Sequence, residues 1–518
     1  MNGGDVLCRT LLDHGIDTCF ANPGTSEMHF VAALDEARDM RCILGLFEGV
    51  VTGAADGYAR MADRPAATLL HTGPGLANGL ANLHNARRAR SAILNIVGDH
   101  ARDHLPYDAP LTTDIDGLAR PMSDWVGRAG SARSVQQDAS RAIAAARTGT
   151  GRVATLILPA DAAWDAADYD AAREACAPTP PAAPRKDAVD EAARHIRSGR
   201  RCLLLLGGHA LRQGPMREAA RIAAALGVGV LAEQANARCA QGRASFAPQR
   251  VEYVVDKAVR QLEPFDVVIL AGARAPVAFF KYPGKPHAVT REDAIFVELA
   301  GIDDDQGEAL RALREALGLA ATEPRLPDVA EPAVGSGPLD MASLVQTVAA
   351  TLPEGAIVCD EAISYSHAYG NAARGAAAHD LLQLTGGAIG IGPSLTVGAA
   401  VACPDRPVLS LQADGSALYT IQALWTQARE GLNVVTVILS NRRYQSLYGE
   451  LAALGHAAPG RNARAMLDLD NPALDWISIA RGFGVEAVRV DSAENLAKAL
   501  NGAYRARGPM LIEAVLAD

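Results

Sequence analysis

The chain has 518 residues, 49% hydrophobic and 21% charged, a globular composition that excludes a disordered or fibrous protein. Its length alone suggests about three domains. Lys plus Arg number 49 against 59 for Asp plus Glu, a formal charge of −10, so no overall basic face invites nucleic acid.

Aromatic residues make up only 5%, so the core has to be built from Ala, Val, Leu and Ile. The eight cysteines (positions 8, 19, 42, 176, 202, 239, 359 and 403) form no CxxC pair. That argues against a zinc knuckle or a disulfide framework and for reduced thiols in a cytoplasmic protein. The opening MNGGDVLCRTLLDHG carries acids early and lacks a basic stretch before an apolar core, so no signal peptide is expected. No uncharged apolar run of about 18 residues reads as a membrane span. A soluble protein with neither membrane nor nucleic-acid partners is expected.

In chain order, Asp5–His14 reads as a helix, Thr18–Ala21 as a strand, Glu27–Glu36 as a helix and Arg41–Leu46 as a strand. Gly49–Met61 is a helix, Ala67–His71 a strand, Gly75–Ala89 a helix, and Ser91–Val97 and Val153–Leu158 are strands. Pro then blocks regular structure in Ala177–Asp187 (APTPPAAPRKD). Beyond it come Asp190–Arg197 as helix, Cys202–Leu206 as strand, Met216–Leu226, Val228–Leu231, and the strand candidates Asp266–Ala271 and Ala294–Leu299. A second linker, Pro324–Leu339, precedes a helix at Met341–Thr351. Ala356–Cys359, Val408–Gln412 and Val434–Leu439 are then apolar strands, with helices opening near Ser394 and at Thr420. Continuous rather than alternating apolar strands between helix-length stretches indicate parallel sheets covered on both faces. The expectation is three α/β domains, at residues 1–176, 188–323 and 340–518.

The strand Val408–Gln412 runs into Ala413-Asp414-Gly415-Ser416, and the next strand ends at Ser440-Asn441-Arg442-Arg443-Tyr444. Open α/β sheets bind ligands at the carboxyl ends of their strands. Asp414 offers a hard carboxylate oxygen and Asn441 an amide oxygen, which suit Mg²⁺ together with a backbone carbonyl and phosphate oxygens. Gly415 and Ser416 allow close backbone approach to phosphate. By itself the quartet is a weak signal and reads first as an ordinary Asp-Gly turn.

Asp414-Gly415-Ser416, Gln422, Leu424 and Ser440-Asn441, with Asp414 and Asn441 27 positions apart, resemble the signature of the thiamine-diphosphate-dependent enzymes. These include acetolactate synthases and the pyruvate and benzoylformate decarboxylases. Ala413 and Ser440 depart from the usual Gly and Asn, but both proposed side-chain ligands are kept. The resemblance implies Mg²⁺ held by Asp414, Asn441 and the carbonyl of Arg443. It also makes Ser364, Ser416 and Tyr444 candidate diphosphate contacts.

Glu48, between an apolar strand and a small-residue helix, is on its own terms a helix-start acid favoured by the dipole. Glu48-Gly49 through Gly53-Ala54-Ala55-Asp56-Gly57-Tyr58-Ala59-Arg60 resembles the family's activating glutamate and the helix that follows it. That likeness implies that Glu48 relays a proton to the cofactor's pyrimidine ring, with burial raising its pKa. In Leu384-Thr385-Gly386-Gly387-Ala388-Ile389-Gly390, it implies that Gly387 offers a carbonyl to the amino group and Ile389 wedges the bent cofactor. Asn22-Pro23-Gly24-Thr25-Ser26-Glu27 and Leu70-His71 resemble benzoylformate decarboxylase, so Ser26 is expected to hold a 2-oxoacid carboxylate and His71 to transfer protons. Without the likeness, Ser26 or Thr25 is a helix cap. Asn78 and Asn82 fit the family or a purely structural role.

Substrate signals are thinner. His100 and His104 are candidates for the pocket or for an exposed loop, and Lys281 and Arg274 for anion attraction or plain solvation. No complete GxGxxG is present, so FAD in the central domain is left unknown. The resemblance implies a 2-oxoacid decarboxylase with possible carboligation. Acetolactate synthase-like condensation of pyruvate and a non-catalytic cofactor-binding protein are the alternatives. It also implies a homodimer or homotetramer in which Glu48 and Asp414 act from different chains.

Overall fold

Runs such as Cys202–Leu206 bury every side chain, which a strand permits only when both faces of its sheet are covered. The computed structural model describes residues 1–243, 245–321, 324, 326 and 328–517. The expected domain ends at 323 and 518, and positions 325 and 327 of the second linker, lie outside the described residues. The chain forms two units: Met1–Thr179 with Ala333–Ala368 and Gly386–Asp518, and Pro180–Pro332 with Tyr369–Thr385.

The first unit holds two sheets. Strands β1 (Thr18–Asn22), β2 (Arg41–Leu44), β3 (Ala66–Leu70), β4 (Ile93–Asp99), β5 (Trp125–Arg128) and β6 (Val153–Pro159) run in the order β2-β1-β3-β4-β6-β5, all parallel. In the second unit β7 (Cys202–Leu206), β8 (Gly229–Ala232), β10 (Gln249–Arg250), β11 (Val267–Ala271) and β12 (Ile295–Ala300) form a parallel sheet ordered β10-β8-β7-β11-β12. There too β9 (Cys239–Gln241) pairs antiparallel with β14 (His379–Gln383). The other sheet of the first unit takes β13 (Ala356–Glu361), β15 (Val408–Ala413), β16 (Val434–Ser440), β17 (Glu486–Val490) and β18 (Met510–Val515), ordered β17-β18-β16-β15-β13 and parallel.

Two helices of this unit cross at backbone distance. A Cβ on Gly57 of helix Glu48–Ala62 would stand 2.0 Å from the Leu395 carbonyl oxygen. One on Gly398 of helix Gly392–Ala402 would stand 1.8 Å from that of Ala54. The small-residue helix read from the sequence is therefore a packing face, and it fixes the position of Glu48 at its start. Asp56 and Arg60 pair inside this helix, almost wholly buried, at 2.6 Å.

Several boundaries differ from those expected. β2 stops at Leu44, and Glu48 itself opens the following helix. The next helix starts at Thr72 rather than Gly75, because Pro74 sits in the first turn, where an N–H has no helical partner anyway. Asp414–Ala417 forms a turn of helix of its own, and the helix expected from Thr420 begins at Ala423. Thr420 is engaged elsewhere, donating its hydroxyl to the Gly390 carbonyl at 2.5 Å. The edge strands β5 and β17 went unread because they are half-exposed and carry no continuous apolar run. All eight cysteines are free thiols. Among the described residues no helix is long and apolar enough to cross a membrane.

Candidate active site

Ala413 in register with Leu439 sets the carboxyl ends of β15 and β16 side by side. Asp414 is 2% exposed, with Oδ1 accepting the Gly415 N–H at 2.8 Å and Oδ2 the Arg442 N–H at 2.6 Å. Burial pushes its pKa up, and these backbone donors pull part of the way back. Among the described residues no cationic side chain pairs with it, so a buried carboxylate stands here without a counter-charge. Asn441 Oδ1 accepts the Arg443 N–H at 3.1 Å, and the Arg443 carbonyl accepts Gln445 N–H at 3.0 Å with a lone pair to spare. Ser416 is buried beside Asp414 and accepts Gln412 Nε2 at 2.8 Å. The Tyr444 ring lies over Gly415, and burial raises its phenol pKa. Ser364 stands half-buried in the turn after β13.

The turn 386–392 carries Gly387 and Ile389. Asn85 ties it from the helix Thr72–Ala89, donating to the Ala388 carbonyl at 2.7 Å and accepting its N–H at 3.3 Å. Glu361, at the end of β13, accepts the N–H groups of Gly390 and Gly392. Gly387 is exposed and Ile389 half-buried.

Glu48 is half-buried rather than enclosed within this one chain, and its Oε2 accepts Asn78 Nδ2 at 3.0 Å. Asn82 donates to the Gly49 carbonyl at 2.8 Å. Of the two asparagines, the first therefore touches the candidate carboxylate and the second holds its helix.

At the carboxyl ends of β1 and β3 a side-chain cluster forms. Ser26 Oγ is 3.1 Å from His71 Nδ1, which lies 2.9 Å from Glu27 Oε2, and Ser26 also bonds Glu27 Oε1. The Glu27 side chain is fully buried, while that of His71 is 22% exposed. Both press on bare backbone: a Cβ at Gly24 would stand 2.2 Å from the His71 ring, and one at Gly98 1.7 Å from Glu27 Oε1. The expected helix cap is reversed here. Neither Thr25 nor Ser26 caps, and Glu27 instead reaches back to the Gly24 N–H at 2.8 Å.

Three non-glycine residues hold left-handed backbone beside candidate side chains: Thr72 (φ 51°) after His71, Ile363 (φ 50°) before Ser364, and Arg442 (φ 59°) after Asn441. Two are β-branched, for which this conformation is costly, and such strain concentrates at functional sites. Sequence reasoning missed Glu27, Asn85 and Glu361. For the first, the available signal was only an acid three residues after Gly24, within reach of that residue's N–H.

Of the remaining candidates, the His100 and His104 rings are tilted against each other with centroids 5.7 Å apart, His104 being exposed. Lys281, in the second unit, bonds the Lys285 carbonyl.

Two family descriptions match this chain: thiamine pyrophosphate enzyme, N-terminal TPP binding domain, over residues 1–119, and the C-terminal TPP binding domain over residues 367–514. It is 48% identical over 520 residues to a Mycobacterium tuberculosis H37Rv protein named "Putative acetolactate synthase large subunit IlvX", covering 100% of this chain and 99% of that one. Benzoylformate decarboxylase of Pseudomonas aeruginosa is 30% identical, with 96% of each chain covered. The solved structure of the thiamine diphosphate-dependent 4-hydroxybenzoylformate decarboxylase of Rhodococcus jostii RHA1 superposes with a TM-score of 0.87 at 26% identity, covering 100% of this chain and 99% of that one. Two matched cofactor-binding regions and full-length relatives agree with strand ends arranged around Asp414 and His71, and the chain belongs to the thiamine pyrophosphate enzyme family.

Proposed function

We propose that the chain decarboxylates a 2-oxoacid with thiamine diphosphate and Mg²⁺, and can pass the remaining fragment to a carbonyl acceptor. When bound, thiamine diphosphate supplies the electron sink that decarboxylation requires. The uncompensated Asp414 carboxylate fits a divalent cation, with Asn441 Oδ1 and the Arg443 carbonyl completing the protein's share of an oxygen shell. Among the described residues no group of three or more His, Cys, Asp or Glu offers an alternative metal site. Gly415, Ser416, Ser364 and Tyr444 hold the diphosphate, while Gly387 and Ile389 place the pyrimidine. Glu48 holds and moves a proton at its carboxyl, oriented by Asn78.

One observation carries the substrate reading: Ser26, Glu27 and His71 form a single hydrogen-bonded cluster. His71 Nδ1 is engaged there, which leaves Nε2 as the atom that moves protons to and from the reacting carbon. Ser26 binds the 2-oxoacid carboxylate by turning its hydroxyl proton from Glu27 to the substrate. The relatives' names, a benzoylformate decarboxylase among them, support this class. Acetolactate synthase-like condensation of pyruvate is the second reading, favoured by the name of the 48%-identical relative.

A panel of aliphatic and aromatic 2-oxoacids, assayed for carbon dioxide release with product analysis, separates the two. Aldehyde products support decarboxylation, acetolactate from pyruvate supports condensation, and no turnover of any 2-oxoacid overturns both. In this reading the domains divide at 1–176, 188–323 and 340–518, and each active site takes Glu48 from one chain and Asp414 from another, in a homodimer or homotetramer.

A further inference from the structure

Glu361 ends β13 with its carboxylate inside the protein, 1% exposed. Its partners are neutral donors. Oε1 accepts the Gly390 N–H at 2.5 Å, and Oε2 accepts the Gly392 N–H at 2.6 Å and Gln412 Nε2 at 2.8 Å. Gln412 lies on β15, two residues before Asp414, and its same nitrogen donates to Ser416 Oγ at 2.8 Å. The two amides belong to the turn that carries Gly387 and Ile389. That turn is rich in glycine, with φ of 78° at Gly387 and 94° at Gly390, so its backbone has little intrinsic preference for one shape.

Burying a carboxylate is costly, and packing alone would be served better by an apolar side chain. What an apolar residue lacks is three acceptor positions fixed on a rigid strand. Other side chains reach single groups of the turn: His84 the Gly386 carbonyl at 3.0 Å, Asn85 the Ala388 backbone, Thr420 the Gly390 carbonyl and Ser394 the Ile391 carbonyl. Glu361 alone among these side chains grips two of its amides at once.

We propose that Glu361 is a positioning residue whose carboxylate fixes the 386–392 turn against β15, setting Gly387 and Ile389 at the distance from the Asp414 turn that one thiamine diphosphate spans. The assignment rests on the reading of Gly387 and Ile389 given above. Glu361 touches neither cofactor nor substrate and acts through the backbone it holds.

Glu361→Gln preserves the side chain's shape but must turn an NH₂ group toward at least one of the three donors. Amide hydrogen exchange at Gly390 and Gly392 in the cofactor-free protein reads the clamp directly. Titrations with thiamine diphosphate and with inorganic pyrophosphate, both with Mg²⁺, read its consequence. Leaving a buried donor unpaired should speed exchange of the two amides and weaken thiamine diphosphate binding by roughly tenfold. Inorganic pyrophosphate, which has no pyrimidine to place, should bind the variant as it binds the parent. Unchanged amide protection, unchanged thiamine diphosphate affinity, or an equal loss for both ligands would overturn the proposal, the last by showing a general packing defect. Failure of the parent protein to bind thiamine diphosphate would instead overturn the site reading beneath it. If the Gln variant does not fold, Glu361→Asp, one methylene short of both amides, should give the same pattern.

Discussion

The Asp414 turn and the Ser26–Glu27–His71 cluster both sit at carboxyl ends of parallel strands, yet they are built by opposite means. At Asp414 the backbone does the holding: two N–H groups, from Gly415 and Arg442, fix a carboxylate that no cationic side chain neutralises among the described residues. At His71 side chains do it, with partners 44 and 45 positions away in sequence. The first arrangement leaves one charge waiting for a cation. The second already carries its own acid–base partner, spends the Ser26 hydroxyl proton on Glu27, and leaves one ring nitrogen to a substrate. The proposed cofactor site and the proposed substrate site are thus built separately, and variants should fail in different ways at each.

The largest effect is expected at the backbone-held site. Asp414→Ala removes the only anionic ligand proposed for Mg²⁺ and should abolish metal-supported binding of thiamine diphosphate; chelating Mg²⁺ from the parent should do the same. Calorimetric titration with and without the metal measures both. Binding retained by the variant would break the comparison, because the buried charge would then have no cation to serve.

Next in size is Glu48→Gln, which keeps the helix start but cannot move a proton. Exchange of the cofactor's thiazolium proton should slow by about 10²–10⁴-fold, the range of general acid–base contributions, with affinity little changed. Mixing the Glu48→Gln and Asp414→Ala chains adds a sharper reading. If each site draws on two chains, hybrid dimers regain one intact site and some activity. A mixture as dead as its components would place both residues in one chain.

A smaller effect is expected at the side-chain cluster. His71→Ala should lower turnover by roughly 10²-fold while leaving thiazolium proton exchange near the parental rate. Glu27→Gln should reproduce the defect in weaker form, since the amide still bonds the imidazole but supplies no carboxylate to it. Quantifying covalent cofactor adducts after rapid quench locates the impaired step. A loss of thermal stability with a normal adduct distribution would reduce the cluster to packing.

The same contrast explains what the sequence disclosed. The Asp414 turn is contiguous, its proposed ligands lie at the ends of consecutive strands, and apolar runs such as Val408–Gln412 announce those strands, so the fold class was legible and a candidate cofactor site could be named. The Glu27–His71 pairing was not, because nothing in PGTSE shows which distant ring its acid will meet. Glu361 was hidden for a related reason. It stands beside Ser364 in DEAIS, but its partners are amides of a turn some thirty residues on, and a backbone donor leaves no mark on composition. Asn85 holds that turn across roughly three hundred positions, beyond any reading of local pattern. Strands β5 and β17 escaped because a half-exposed edge lacks the apolar run by which a buried strand is recognised.

The smallest expected effect concerns pH, and it turns on what Glu361 costs the fold. Burial raises its pKa above the ordinary glutamate value of about 4.3, and the hydrogen bonds from Gln412, Gly392 and Gly390 offset part of that rise. The folded state therefore favours the protonated carboxyl more than the unfolded chain does. Stability from this preference is fully present below the unfolded value and is lost as pH rises through the folded one. Glu361→Gln has no such proton to lose, so melting curves of cofactor-free parent and variant, taken between roughly pH 4 and pH 8, should diverge in the variant's favour as pH rises. The same substitution is expected to weaken thiamine diphosphate binding. A residue that costs stability at neutral pH while improving the fit of the cofactor turn is placed for function rather than for packing, and a pH-independent stability difference would remove that argument.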